Sequence, residues 1–159
     1  MLIVRKNVIY KIIPFDEFRQ LDCITLFHDE KTARRFGVIT NGIISFKFSW
    51  QSDTIDPVMK VYNKNSFYCL GIDLMFSIIK FNENDFKSVV KVDYLLYDIR
   101  FIEGGIWVIT ELEILVVDVV NYTIVKKMPL PSIFQKIISE SLLVTVECMG
   151  GEIITVEVP

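Results

Sequence analysis

The sequence predicts an all-β chain, and three observations carry that prediction. β-Branched aliphatics dominate it: 23 Ile and 18 Val stand against a single alanine, Ala33. Pleated surfaces favour Ile, Val, Phe and Tyr, whereas helical domains use alanine freely. Ile44, Phe46, Phe48 and Trp50 alternate with Ser45, Lys47 and Ser49, a period of two with one apolar and one wet face. From Phe67 onward, strand–turn–strand units recur. The 159 residues suit one domain, long enough to bury a core without disulfides or metal. An apolar fraction of 52% and a mean hydropathy of +0.42 exclude a disordered segment.

Taken in order, residues 1–13 read as a first strand. Pro14 followed by Asp16 and Glu17 marks one or two helical turns through Leu21. Residues 23–27 are a short apolar run, and the polar stretch 28–35 reads as an exposed loop. A strand resumes over residues 36–40. Asn41-Gly42 then predicts a type I′ turn. The alternating strand follows, and residues 51–57 form a second loop.

The unit from Phe67 reads FYCLGIDLMFSIIKF, then a polar turn at residues 82–85, then FKSVVKV. The unit from Ile106 reads IWVITELEILVVDVV, then Asn121-Tyr122, then TIVKKM. The unit from Leu142 reads LLVTVECMGGEIITVEV. These starts lie 39 and 36 residues apart. Residues 97–102 and 133–138 fall between units. Ser132 after Pro131 suits a helix start, but the repeat favours a strand there. Gly104-Gly105 and Gly150-Gly151 read as turn or bulge glycines. Repeats of about 40 residues built from antiparallel strands are the signature of propeller blades. The predicted fold is therefore an antiparallel meander forming a propeller-like repeat sheet, partial or open, with a β-sandwich or barrel as alternatives. A single domain spans 1–159, with irregular N-terminal strands over 1–66 and blade-like repeats over 67–159.

Chemistry-bearing residues are sparse. The one histidine, His28, reads as a solvated loop residue. Cys23, five residues earlier, lacks an orienting group or any sign of an activated thiol. Cys69 and Cys148 sit in apolar strand contexts and read as buried free thiols. One His and three scattered Cys do not make a zinc site. No phosphate-binding glycine loop and no GxSxG elbow occurs. The expectation is no catalytic residue, no metal and no cofactor. Three carboxylates, Glu111, Glu113 and Asp118, interrupt the most apolar window, which is costly for a membrane span. Arg5 and Lys6 interrupt the apolar N-terminus, so no leader is expected and the expected location is the cytoplasm.

Net charge is −3 and unevenly spread. Residues 1–80 hold 11 basic and 8 acidic side chains; residues 81–159 hold 6 and 12. The acidic half argues against nucleic acid and permits a basic protein partner. The tight turns of the three units carry Asp73, then Glu111 and Glu113, then Glu147 and Glu152, and no Lys or Arg. Equivalent turns of a repeat sheet project on one side, so these five acids are the expected partner-binding strip.

Residues 67–159 resemble β-propeller repeat proteins of the WD40 or quinoprotein-like sort. The likeness lies in GGIWVITELEILVVDVVNYTIVKKM, where strand, acidic turn, strand ending in Asp118, polar turn and strand follow the blade pattern. The family's WD dipeptide and Gly-His are missing. In size, Ile/Lys/Asn content and acidity the chain is also similar to small bacterial immunity proteins. That resemblance implies a non-enzymatic protein that neutralises a cognate toxin, a basic nuclease in the sharpest form, as in contact-dependent growth inhibition. A small β-barrel carrier of an apolar ligand and a cryptic hydrolase are the alternatives.

Overall fold

The computed structural model describes residues 3–5, 8–62, 67–81 and 87–158. The expected polar turn at 82–85 lies outside the described residues. Four sheets follow one another along the chain. Sheet I takes β1 (Ile3–Arg5), β2 (Val8–Ile13), β3 (Ile24–Phe27), β4 (Arg35–Thr40) and β5 (Ser45–Trp50), with α1 (Phe15–Gln20) after β2. Sheet II takes β6 (Val58–Tyr62), β7 (Phe67–Ile72), β8 (Met75–Ile79) and β9 (Lys87–Lys91). Sheet III takes β10 (Leu96–Ile102), β11 (Gly105–Thr110), β12 (Glu113–Asp118) and β13 (Ile124–Pro129). Sheet IV takes β14 (Phe134–Glu140), β15 (Leu143–Cys148) and β16 (Ile153–Glu157). Sheets II to IV are antiparallel meanders in chain order. Sheet I has the order β1-β2-β4-β5-β3, and β3 runs parallel to β5.

The repeat is real, and its period is regular. β7, β11 and β15 begin at Phe67, Gly105 and Leu143, 38 residues apart each time, and each is six residues long. Backbone bonds repeat with the same spacing. Val92 N–H donates to Leu74 C=O and Leu130 N–H to Leu112 C=O; Leu96 N–H donates to Asp73 C=O and Phe134 N–H to Glu111 C=O. The sequence-level starts at 106 and 142 are each off by one. Gly105 hides the start of β11, because glycine carries no strand signal. The segments expected to lie between units are the first strands, β10 and β14, of sheets III and IV. Sheet II likewise begins earlier than Phe67, at β6.

The sheets stack face to face because their central strands are apolar on both sides. Along β11, Ile106 and Val108 face sheet II, while Trp107 and Ile109 face sheet IV. Along β7, Tyr68, Leu70 and Ile72 face sheet I, and Phe67 and Cys69 face sheet III. Such strands read as continuous apolar runs rather than alternating ones. Gly71 lets sheets II and III approach: a Cβ there would stand 2.5 Å from Leu96 Cδ1. Among the described residues the three inter-sheet cores join I to II, II to III and III to IV, and none joins IV to I. The outer face of sheet I is occupied by α1, which buries Phe18 against Ile13, Phe36 and Val38. The stack is open.

Two local expectations change. Only Gly42 has positive φ in the loop between β4 and β5, so it is not a type I′ turn. Asn41 instead accepts the Ile43 and Ile44 N–H groups on its side-chain oxygen, at 3.0 and 2.8 Å. The I′ pattern occurs between β10 and β11, where Glu103 and Gly104 both have positive φ. The supposed wet face of β5 is largely covered. Lys47 donates to the Phe18 and Leu21 carbonyls at the end of α1, and Ser49 is buried.

Candidate protein-docking rim

The tight turns β7–β8, β11–β12 and β15–β16 occupy equivalent places in sheets II, III and IV. Each is tied to the connection beside it. Glu111 N–H donates to Leu95 C=O and Met149 N–H to Ile133 C=O, again 38 residues apart. With the Leu96 and Phe134 bonds already described, turns and connections form one continuous rim at one end of the stack.

Three of the five expected carboxylates lie on this rim. Asp73 accepts the Gln51 N–H at 2.7 Å and so also fastens the loop of sheet I. Its φ of 50° is left-handed, which Asp tolerates better than most residues. Glu111 is half-buried and has no cationic partner among the described residues. Glu152 is exposed and accepts the Ser132 hydroxyl at 2.8 Å.

The other two do not join them. Glu113 is the first residue of β12 and shares its face with Leu115 and Val117, so the pleat turns it toward sheet II. It is buried, and its Oε1 accepts no hydrogen bond among the described residues. Glu147 lies within β15, not in the turn, on the face away from sheet III. There it pairs with Lys136 at 3.1 Å, its cross-strand neighbour. The single five-acid strip is thus a three-acid rim.

What the sequence reasoning missed is the apolar centre of the rim. Tyr94 and Leu95 from one connection, Tyr97 from the start of β10 and Met149 from the last turn are exposed. Ile133 and Phe134 are half-buried beside them. The Tyr97 and Phe134 rings are 6.3 Å apart and line an open groove of about 590 Å³ with Met149. Burial, and then the Glu111 carboxylate, push the Tyr97 hydroxyl above the usual phenol range. The signal was present in the 38-residue register, which makes Leu95 and Ile133 equivalent. Aromatic anchors and a methionine inside a polar border, here Asp98, Arg100, Gln135 and Lys136, are the composition of a protein-binding hot spot.

The histidine region is organised differently. His28 is exposed, yet its Nδ1 lies 2.7 Å from Ser49 Oγ and its ring packs 5.0 Å from that of Phe18. Ser49 is only 5% exposed, and with His28 and Asp29 it lines a cavity of about 380 Å³, so the histidine is held by a partner and is not the free loop residue that the sequence suggests. Burial raises the Cys23 thiol pKa, and Lys47 pulls it only partly back, which disfavours a thiolate at neutral pH. Among the described residues no group of three or more His, Cys, Asp or Glu could hold a metal ion, and no helix is long and apolar enough to cross a membrane. No protein-family model matches the chain, and no curated protein is significantly similar to it.

Proposed function

We propose that this protein is a non-enzymatic binding module that docks a basic protein on the rim of sheets II to IV. In the sharpest form it is an immunity-type inhibitor covering the cationic surface of a toxin. One observation carries the reading: Tyr97, Phe134 and Met149 converge on a groove whose cations, Arg100 and Lys136, are already paired with Asp98 and Glu147, while Glu111, whose carbonyl accepts the Phe134 N–H, and Glu152 sit in the turns beside it. The apolar centre supplies residence time, and the carboxylates supply encounter rate and selection for a cationic partner.

Copurification of the untagged chain with the other products of its native operon tests this. The comparison is between wild type and the Glu111→Lys/Glu152→Lys variant. Glu152 is exposed and Glu111 half-buried, so the Tm of the variant is measured alongside and retention is compared only between folded proteins. Wild type retains a basic partner in a salt-dependent manner, and the variant loses at least about tenfold in affinity. Equal retention by both proteins would refute the rim as the docking surface.

A further inference from the structure

We propose that the open edge of β16, along the side of sheet IV, accepts one extended basic segment of a partner protein as a fourth strand. The site is separate from the docking rim, which lies at one end of the stack. Sheets II and III each have four strands, and in each the fourth pairs antiparallel with the third, β9 with β8 and β13 with β12. Among the described residues sheet IV has three, and its third strand, β16, pairs only with β15.

The backbone of that edge is turned outward. Cys148 N–H donates to Glu152 C=O at 2.8 Å, and hydrogen-bonded pairs alternate along an antiparallel ladder. Val146 with Ile154 and Val144 with Val156 are therefore the bonded pairs, so Ile153, Thr155 and Glu157 point their N–H and C=O groups away from β15. The Glu157 carbonyl shows this direction, because it accepts Lys126 Nζ from sheet III at 3.2 Å. The edge also lacks the usual guards, since open edges are blunted by Lys, Pro or a bulge. Of the six edge strands of sheets II to IV, β6, β9, β10, β13 and β14 each carry Lys or Arg. Register shifts interrupt β10, β13 and β14 as well. β16 has no Lys, Arg, Pro or register shift.

Charge selects the occupant. Residues 142–158 hold no Lys or Arg. Glu152 and Glu157 stand exposed at the two ends of β16, and neither carboxylate forms an ion pair among the described residues. The fourth strands that the molecule already uses, KSVVK and IVKKMP, each carry two lysines and no acid. A second copy of β16 brings two more carboxylates and no cation, so the edge is not built to pair with itself. Beside it, Val125 of sheet III is 59% exposed and lines a groove with Val158, apolar surface for the strand to cover. The occupant is therefore an extended segment with valine-like residues between lysines, paired antiparallel to β16.

The test titrates the full chain with the peptide FKSVVKV, the sequence of residues 86–92, and with FESVVEV as control. Two-dimensional NMR with hydrogen exchange follows the backbone amides. FKSVVKV is expected to shift the Ile153, Thr155 and Glu157 amide resonances and to slow their exchange at least about tenfold. FESVVEV binds at least about tenfold more weakly. Thr155→Pro removes an N–H that β15 does not use, which an edge strand tolerates, and abolishes binding. Glu157→Lys changes an exposed side chain, so it keeps the comparison in a folded protein even if Thr155→Pro does not fold, and it weakens binding severalfold. The proposal is overturned if FKSVVKV leaves the three amides unchanged, if FESVVEV binds as tightly, or if Glu157→Lys or a folded Thr155→Pro variant binds like wild type.

Discussion

Lys47 fastens α1 to sheet I, and its removal has a calculable cost. The side chain leaves the face of β5 that the alternation assigns to solvent and runs under the helix. Its ammonium donates to the Leu21 carbonyl at 2.6 Å and the Phe18 carbonyl at 3.1 Å, and lies 5.0 Å from the Phe18 ring centroid. A six-residue helix has no stability of its own, so its position depends on this clamp and on the burial of Phe18. Lys47→Met keeps the aliphatic stem and most of the volume but leaves both carbonyls without a donor. A hydrogen bond from a charged group contributes about 1.5–3 kcal/mol. Relief of the partly buried ammonium's desolvation offsets some of this, leaving a net loss of about 2 kcal/mol. In a domain of this length that lowers Tm by about 4–8 °C. Urea denaturation gives the free energy directly, and alkylation of Cys23, which follows the helix, reports whether α1 has lifted. A Tm within about 1 °C of wild type, together with unchanged Cys23 labelling, would refute the clamp.

Three further outcomes follow from the cores. Cys69 and Cys148 are fully buried, so native-state thiol labelling is expected to be fast only at Cys23; rapid modification of Cys69 without denaturant would contradict the core assignment. Burial raises the Cys69 thiol pKa strongly. The unfolded chain therefore ionises first. The stability this contributes is complete below the unfolded thiol value of about 8.5 and is lost above it, by about 1.4 kcal/mol per pH unit. Urea midpoints at pH 8 and pH 10 should show this slope, and Cys69→Ala should flatten it; an unchanged slope in the variant would exclude Cys69 as its source. Gly37 faces Phe48 across β4 and β5, and a Cβ there would come within 2.8 Å of the Phe48 ring. Gly37→Ala is therefore expected to cost about 1–3 kcal/mol by overpacking; a variant as stable as wild type would show that the ring moves freely.

Much of the local structure was legible in the chain because the pleat writes itself into the residue pattern. The apolar runs FYCLGI and GIWVIT become central strands buried on both faces. SFKFSW becomes a strand with two chemically distinct faces, and Pro14-Phe-Asp-Glu opens a helix. The acidic residues Asp73 and Glu111 mark equivalent turns. What covers each face was not legible, because it depends on residues remote in sequence. Lys47 reads as solvated until α1 folds back over it. Glu113 reads as a turn acid until strand register turns it toward sheet II. The parallel docking of β3 beside β5, the alignment of Leu95 with Ile133, and the meeting of Tyr97 with Phe134 and Met149 arise only when the sheets stack. Side-chain alternation is fixed within a few residues by backbone geometry. Burial and charge at a surface are instead set by the neighbour that arrives, and for this chain that neighbour is the adjacent sheet, or for sheet I the helix.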